Sequence, residues 1–122
     1  MSRQSRGQMA YHSGEAAEQS IAQAYERRGF SVAQRRWRGA GGEIDLITRN
    51  AEGVVFVEVK KARTLARAAE RITPRQMERI YASAAQFLEN EPKGQLTNVR
   101  FDVALVDGQG KWEILENAYG LG

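Results

Sequence analysis

Two short segments constrain this chain more than anything else in it: EIDLITR at 43–49 and VVFVEVK at 54–60, separated only by Asn50-Ala51-Glu52-Gly53. Alternation of polar and apolar residues at a period of two marks a strand with one buried face, and a four-residue linker with glycine closes a hairpin. Symmetric closure on that linker places Ile47 opposite Phe56, Asp45 opposite Glu58 and Glu43 opposite Lys60. Slipping the pairing by one residue would move every charge into the apolar layer, so the pattern itself sets the register. The expectation is a face carrying Glu43, Asp45, Glu58 and Lys60, backed by an opposite face of Ile44, Leu46, Val55, Val57 and Val59.

The rest of the chain supplies layers to cover such a hairpin. Residues 1–12 are polar, basic and aperiodic, and read as a flexible N-terminal arm ahead of a single domain over 13–122. From Ser13, an expected N-cap, a helix over 14–28 carries Ala17, Ile21, Ala24, Tyr25 and Arg28 on one stripe, with Gly29 as its left-handed C-cap. A strand over about 30–37 leads into Gly39-Ala40-Gly41-Gly42, read as a flexible turn. Thr73-Pro74-Arg75-Gln76 has the pattern of a capping box with proline at the first helical position. It opens a helix from Pro74 to about residue 90, whose apolar side is Met77, Ile80, Tyr81, Ala84, Phe87 and Leu88. NVRFDVALV and KWEILE, joined by Asp107-Gly108-Gln109-Gly110, make a second hairpin. Helices alternating with strands in this order imply an α/β fold with a mixed central sheet of about five strands flanked by helices.

Across an antiparallel pair, facing β-carbons lie only about 5 Å apart, so Asp45 and Glu58 would repel unless a cation stood between them. Lys60, one pleat along, offsets part of that charge or reaches a phosphate. Two carboxylates, a lysine and a hard cation are the groups that phosphodiester hydrolysis uses: the cation activates a water and stabilises charge on phosphate. The competing bland reading is a solvated face on which Glu43 pairs with Lys60.

Composition excludes the alternatives to an oxygen-ligated cation. There is no cysteine and only one histidine, His12, so thiolate sites and multi-histidine sites are ruled out. No apolar run approaches the roughly 20 residues of a membrane span and the N-terminus lacks a signal-peptide core, so a soluble cytoplasmic protein is expected. Of the 18 basic residues, 14 are arginine, whose planar fork suits phosphate oxygens. Arg63, Arg67, Arg71, Arg75 and Arg79 are spaced as a basic track beside the acidic pair and suit nucleic-acid phosphates; the alternative for them is a solvated surface. Trp37 and Trp112 are read as core or interface, and Asp102 as a face residue or a structural hydrogen-bond acceptor.

GGEIDLI followed by VVFVEVK, together with RFDVALV near the C-terminus, resembles the YraN-like family. These are predicted endonucleases of the restriction-endonuclease-like superfamily, the PD-(D/E)xK nucleases, similar to archaeal Holliday junction resolvases. The resemblance runs from about residue 14 to 119. It implies a restriction-endonuclease-like core and a Mg²⁺- or Mn²⁺-dependent hydrolysis of DNA, including branched or structured DNA. It implies Asp45 and Glu58 as metal ligands, with the Val59 carbonyl adding another, and Lys60 as the catalytic lysine. Family members carry a helix glutamate eleven residues before the glycine that follows the helix, which here is Glu18 before Gly29; Glu15, one turn earlier, is its rival. Gln76 stands where the family often has a lysine and would orient water or phosphate. The segment after Lys60 lacks the glycine and proline usual in the family.

Two functions follow as expectations: a metal-dependent endodeoxyribonuclease, or a non-catalytic nucleic-acid-binding or adaptor module that keeps the nuclease fold. A two-fold homodimer is expected for the first, because cutting two strands needs two sites and this chain has one.

Overall fold

The computed structural model describes the backbone of residues 3–118 and the side chains of residues 14–118. The chain runs α1 (Arg3–Arg27), β1 (Ser31–Gly39), β2 (Gly42–Arg49), β3 (Val54–Lys61), α2 (Leu65–Ala69), α3 (Pro74–Leu88), a 3-10 turn (Gly94–Leu96), β4 (Val99–Val106) and β5 (Trp112–Leu115). The five strands form one mixed sheet in the order β1-β2-β3-β4-β5. β3 and β4 are parallel and the other neighbours antiparallel. This is the expected α/β architecture, consistent with a restriction-endonuclease-like core.

α1 begins at Arg3, so Ser13 lies inside its backbone instead of capping it. Nothing between Arg3 and Ser13 is a proline, so no residue there forces the helix to start at Gly14. The side chains of the expected arm, residues 1–12, lie outside the described residues. The other end is as expected. Gly29 takes φ 91°, and the Gly29 and Phe30 amides donate to the Glu26 and Tyr25 carbonyls, closing the helix with a left-handed glycine.

One helix layer covers each face of the sheet. Ala17, Ile21, Ala22 and Tyr25 of α1 pack on Leu46, Val55, Val57, Ala104 and Val106. On the other face Ile80, Ala84 and Leu88 of α3, with Ala68 of α2, pack on Ile47, Val54, Phe56, Phe101, Val103 and Leu105. Burial on both faces explains why β3 reads as a nearly continuous apolar run. Trp37 and Trp112 are packing residues: Trp37 meets Phe87 edge-on at 5.4 Å between ring centres, and Trp112 packs against the α1-side core. Among the described residues no helix is long and apolar enough to cross a membrane.

The Gly39–Gly42 segment is a two-residue turn docked on α3, not a flexible one. The Gly41 amide donates to Ser83 Oγ at 3.1 Å, and Ser83 Oγ donates to the Gly42 carbonyl at 2.8 Å. A β-carbon on Gly41 would stand 2.2 Å from the Arg79 carbonyl oxygen, so glycine is required by close approach of two backbones. Gly41→Ala is expected to lower the unfolding free energy by about 2–3 kcal/mol, measurable by urea titration; an unchanged midpoint would show that the turn yields freely.

Candidate active site

The β2–β3 ladder has the register read from the alternation: Leu46 faces Val57, Ile47 faces Phe56, Thr48 faces Val55 and Arg49 faces Val54. It stops at Leu46 and Val57. Beyond that point β2 stays with β1, through Ile44 opposite Trp37 and Glu43 opposite Arg38, while β3 stays with β4 as far as Lys61 opposite Val106. The two strands therefore part into a fork, and Asp45 and Glu58 are the first residues inside it.

The fork changes the expected faces. Ile44 packs with Ile47 in the α3-side core, whereas Leu46 packs on the α1 side, so alternation breaks at Asp45. The neighbouring strand is irregular here too: β1 shifts register between Val32 and Gln34, and Arg36, between the residues paired with Leu46 and Ile44, has φ 48°. Glu43 does not pair with Lys60, as the bland reading required; Glu43 is exposed, and Lys60 Nζ instead lies 3.8 Å from Glu58 Oε2.

Inside the fork each carboxylate accepts from a backbone amide of the other strand. The Asp45 amide donates to Glu58 Oε1 at 3.3 Å, and the Val59 amide donates to Asp45 Oδ2 at 2.8 Å. Glu58 is 5% exposed. Burial, then the charge of Asp45, pushes its carboxyl up to about 8, against the opposing pull of Lys60. Burial also raises Asp45, as do Glu18 and Glu43, while the Val59 amide and Lys60 lower it. Two neighbouring carboxyls in a dry place cannot both ionise cheaply, so the pair holds on to a proton.

Gln76 reaches this pair from the other layer. Thr73 caps α3 by accepting from the Gln76 amide, but the glutamine side chain does not fold back to complete the capping box. Its Nε2 donates to Glu58 Oε2 at 3.2 Å. Glu18 comes from α1 on the opposite side and points to Arg36, whose Nε donates to Glu18 Oε2 at 3.0 Å. Glu15 Oε1 lies 4.0 Å from Arg36 Nη2. So the structure brings Asp45, Glu58, Lys60 and Gln76 together and sets Glu15 and Glu18 on a shared arginine beside them. Among the described residues no group of three or more His, Cys, Asp or Glu converges as a ligand set.

Arg63, Arg67, Arg71, Arg75 and Arg79 lie on α2, α3 and the segments before each of them, all exposed. None has an ion-pair partner among the described residues. Sequence reasoning missed Arg36 and Ser83. Glycines on both sides of the β1–β2 turn hinted that something packs closely there, but no pattern marked Arg36, since arginine is an unusual residue for positive φ.

Asp102 is buried on β4 and serves structure. It accepts from Tyr25 Oη at 2.6 Å, from Arg100 Nε at 2.8 Å and Nη2 at 2.9 Å, and from the Asn117 amide at 2.9 Å.

Sequence comparison agrees with the reach of these elements. The family described as Uncharacterised protein family UPF0102 matches residues 17–106, which runs from α1 through β4. A UPF0102 protein of Ruegeria pomeroyi is 60% identical over 118 residues, covering 97% of this chain and 96% of the relative. One of Cereibacter sphaeroides is 56% identical over 113 residues, covering 93% of this chain and 97% of the relative. Another, of Dinoroseobacter shibae, is 44% identical over 115 residues, covering 94% of this chain and 86% of the relative. With most of its length matched, the chain belongs to the family described as Uncharacterised protein family UPF0102.

Proposed function

We propose that this protein is a metal-dependent endonuclease that hydrolyses phosphodiester bonds of DNA, including branched or structured DNA. The observation that carries this reading is the buried Asp45–Glu58 pair in the β2–β3 fork, with Lys60 and Gln76 on it. A stability-neutral surface has no reason to bury two carboxyls against each other; a cation site does.

The residues suit Mg²⁺ or Mn²⁺. Every available donor is oxygen, which matches hard divalent cations, and a cation there would offset the burial and the repulsion that raise Glu58 to about 8. Asp45 and Glu58 would hold it, with Glu18 close by. When bound, it would supply an activated water and charge stabilisation on phosphate. Lys60, whose Nζ lies 3.8 Å from Glu58 Oε2, is placed to donate to a phosphate oxygen and to offset its charge. Gln76, whose amide is fixed on Glu58, orients water or phosphate through its carbonyl oxygen or its second N–H.

The exposed arginines on α2, α3 and their leading segments, which have no ion-pair partner among the described residues, support a nucleic-acid partner. Each phosphate neutralised by an arginine releases a counterion, giving a slope of about −0.9 per contact in log affinity against log salt. Arg75→Ala and Arg79→Ala are each expected to reduce that slope by about one, read by fluorescence anisotropy with duplex DNA. An unchanged slope in both would remove these arginines from the interface.

The activity is tested with a panel of branched and linear DNA substrates in Mg²⁺ or Mn²⁺, comparing wild type with Asp45→Ala. Metal-dependent cleavage that falls at least about a hundredfold in the variant is expected, as for loss of a group that stabilises the transition state. Cleavage equal in both, or none at all, would sink the nuclease reading. Salt-dependent DNA binding without turnover, unaffected by Glu58→Gln, would support the non-catalytic module instead. Double-strand cleavage further requires a two-fold dimer on DNA, which sedimentation with and without a branched substrate checks.

A further inference from the structure

Arg36 combines two features that neither packing nor strand formation explains. Its backbone is left-handed at φ 48°, a conformation that costs a branched or long side chain energy and persists in native structures where something else holds it. Its exposed guanidinium bridges two glutamates of α1, with Nε on Glu18 at 3.0 Å and Nη2 at 4.0 Å from Glu15. The left-handed turn is what aims the side chain at α1, and it also sits opposite the point where the alternation of β2 breaks.

Glu18 has two claims on it. Its carboxylate is near enough to the fork to act on Asp45, yet it is held by Arg36 at the rim. A surface groove of about 540 Å³ opens there, lined by Glu15, Ala16, Glu18, Gln19, Arg35 and Arg36. The groove leaves room for a glutamate to change rotamer without disturbing the core. Glu15 stays within reach of the guanidinium when Glu18 leaves it, so Arg36 is not stranded. The two glutamates, one helical turn apart, thus have different jobs.

We propose that Arg36 is a positioning residue that parks Glu18 beside the Asp45–Glu58 fork and releases it to a divalent cation entering there, with Glu15 retaining the guanidinium. This rests on the cation-site reading above. Arg36 is then an internal stand-in for the metal: it satisfies the glutamate in the metal-free protein and competes with the cation for it. Cation affinity is set by the difference between Glu18 on Arg36 and Glu18 on the metal, so removing the competitor tightens binding.

The test is calorimetric titration of the full chain with Mn²⁺ alone, on wild type, Arg36→Gly, Arg36→Lys, Glu18→Gln and the Arg36→Gly/Glu18→Gln double variant. Glycine adopts φ 48° without strain, so Arg36→Gly removes the guanidinium while keeping the bend. About fivefold tighter Mn²⁺ binding is expected in Arg36→Gly, the scale of one exposed ion pair. Arg36→Lys, which keeps the charge, stays near wild type, and Glu18→Gln binds more weakly. In the double variant the gain from removing Arg36 disappears, because the two residues act on one another. Unchanged or weaker binding in Arg36→Gly overturns the proposal, as does an equal gain with and without Glu18. If wild type binds no Mn²⁺, or binding survives Glu58→Gln intact, the cation site itself fails and the proposal falls with it.

Discussion

Replacing Asp102 by alanine is expected to destabilise the protein by about 3–5 kcal/mol, the scale for removing one partner of a buried charge network. The carboxylate gathers groups from three parts of the chain: Tyr25 of α1, Arg100 of the same strand, and the Asn117 amide after β5. Tyr25 is fully buried, and burial, with the hydrogen bond to Asp102, raises its hydroxyl far above the usual phenol range. It acts only as a neutral donor, and without Asp102 that donor is left dry and unmatched. Among the described residues Arg100 would keep Glu116, at 3.8 Å, and its position over the Phe30 ring. Asn117 has φ 52°, so its turn would lose the bond that fixes it.

A drop of this size should lower the thermal midpoint by roughly 10–20 °C, read by circular dichroism. Asp102 lies opposite Val57 in the β3–β4 ladder and, among the described residues, shares no hydrogen bond or ion pair with Asp45, Glu58, Lys60 or Gln76, so any Mn²⁺ affinity of the folded fraction should not change. A midpoint within a few degrees of wild type, or a lost cation site in folded protein, would show that the network has another role.

What the sequence makes legible here follows from how local each feature is. The β2–β3 register is readable because a one-residue slip is penalised at every position at once, and the pairs Leu46–Val57 to Arg49–Val54 obey it. The helix at Pro74 is readable because its cap, its proline and its apolar spacing agree. The opening of the fork is not, since it comes beside a left-handed Arg36 and a register shift in β1, and nothing in RRWR spells either. For the same reason plain alternation puts Ile44 on the wrong face and Glu43 in a partnership with Lys60. Glu15 and Glu18 stand apart by one helical turn, and only the position of Arg36 distinguishes them. Gln76 is ambiguous between capping and the site because its backbone and side chain do the two jobs separately: the amide goes to Thr73 and the side chain to Glu58.

In metal-free buffer the protein is expected to lose stability as pH rises from about 5 to 9, and Glu58→Gln is expected to remove most of that loss. Burial and the Asp45 charge lift the Glu58 carboxyl from its ordinary value of 4.5 to about 8 in the folded chain. A carboxyl whose folded value is raised holds its proton more tightly when folded. Its contribution is therefore complete below about 4.5 and is lost as pH climbs through about 8. The free energy that goes with holding the proton so much more tightly is on the order of a few kcal/mol. Glutamine keeps the shape and an acceptor for either the Asp45 amide or Gln76 while removing the proton, so its stability should be nearly flat over the same range. The difference between the two proteins isolates Glu58 from every other titrating group. Saturating Mn²⁺ should flatten wild type as well, because a cation favours the ionised pair, and should leave the glutamine variant almost unmoved. The measurement is urea unfolding at pH 5, 7 and 9, with EDTA or with Mn²⁺. Parallel pH slopes for wild type and Glu58→Gln in EDTA would mean that the fork ionises freely, and the proposed cation site would lose the buried charge repulsion it is argued from.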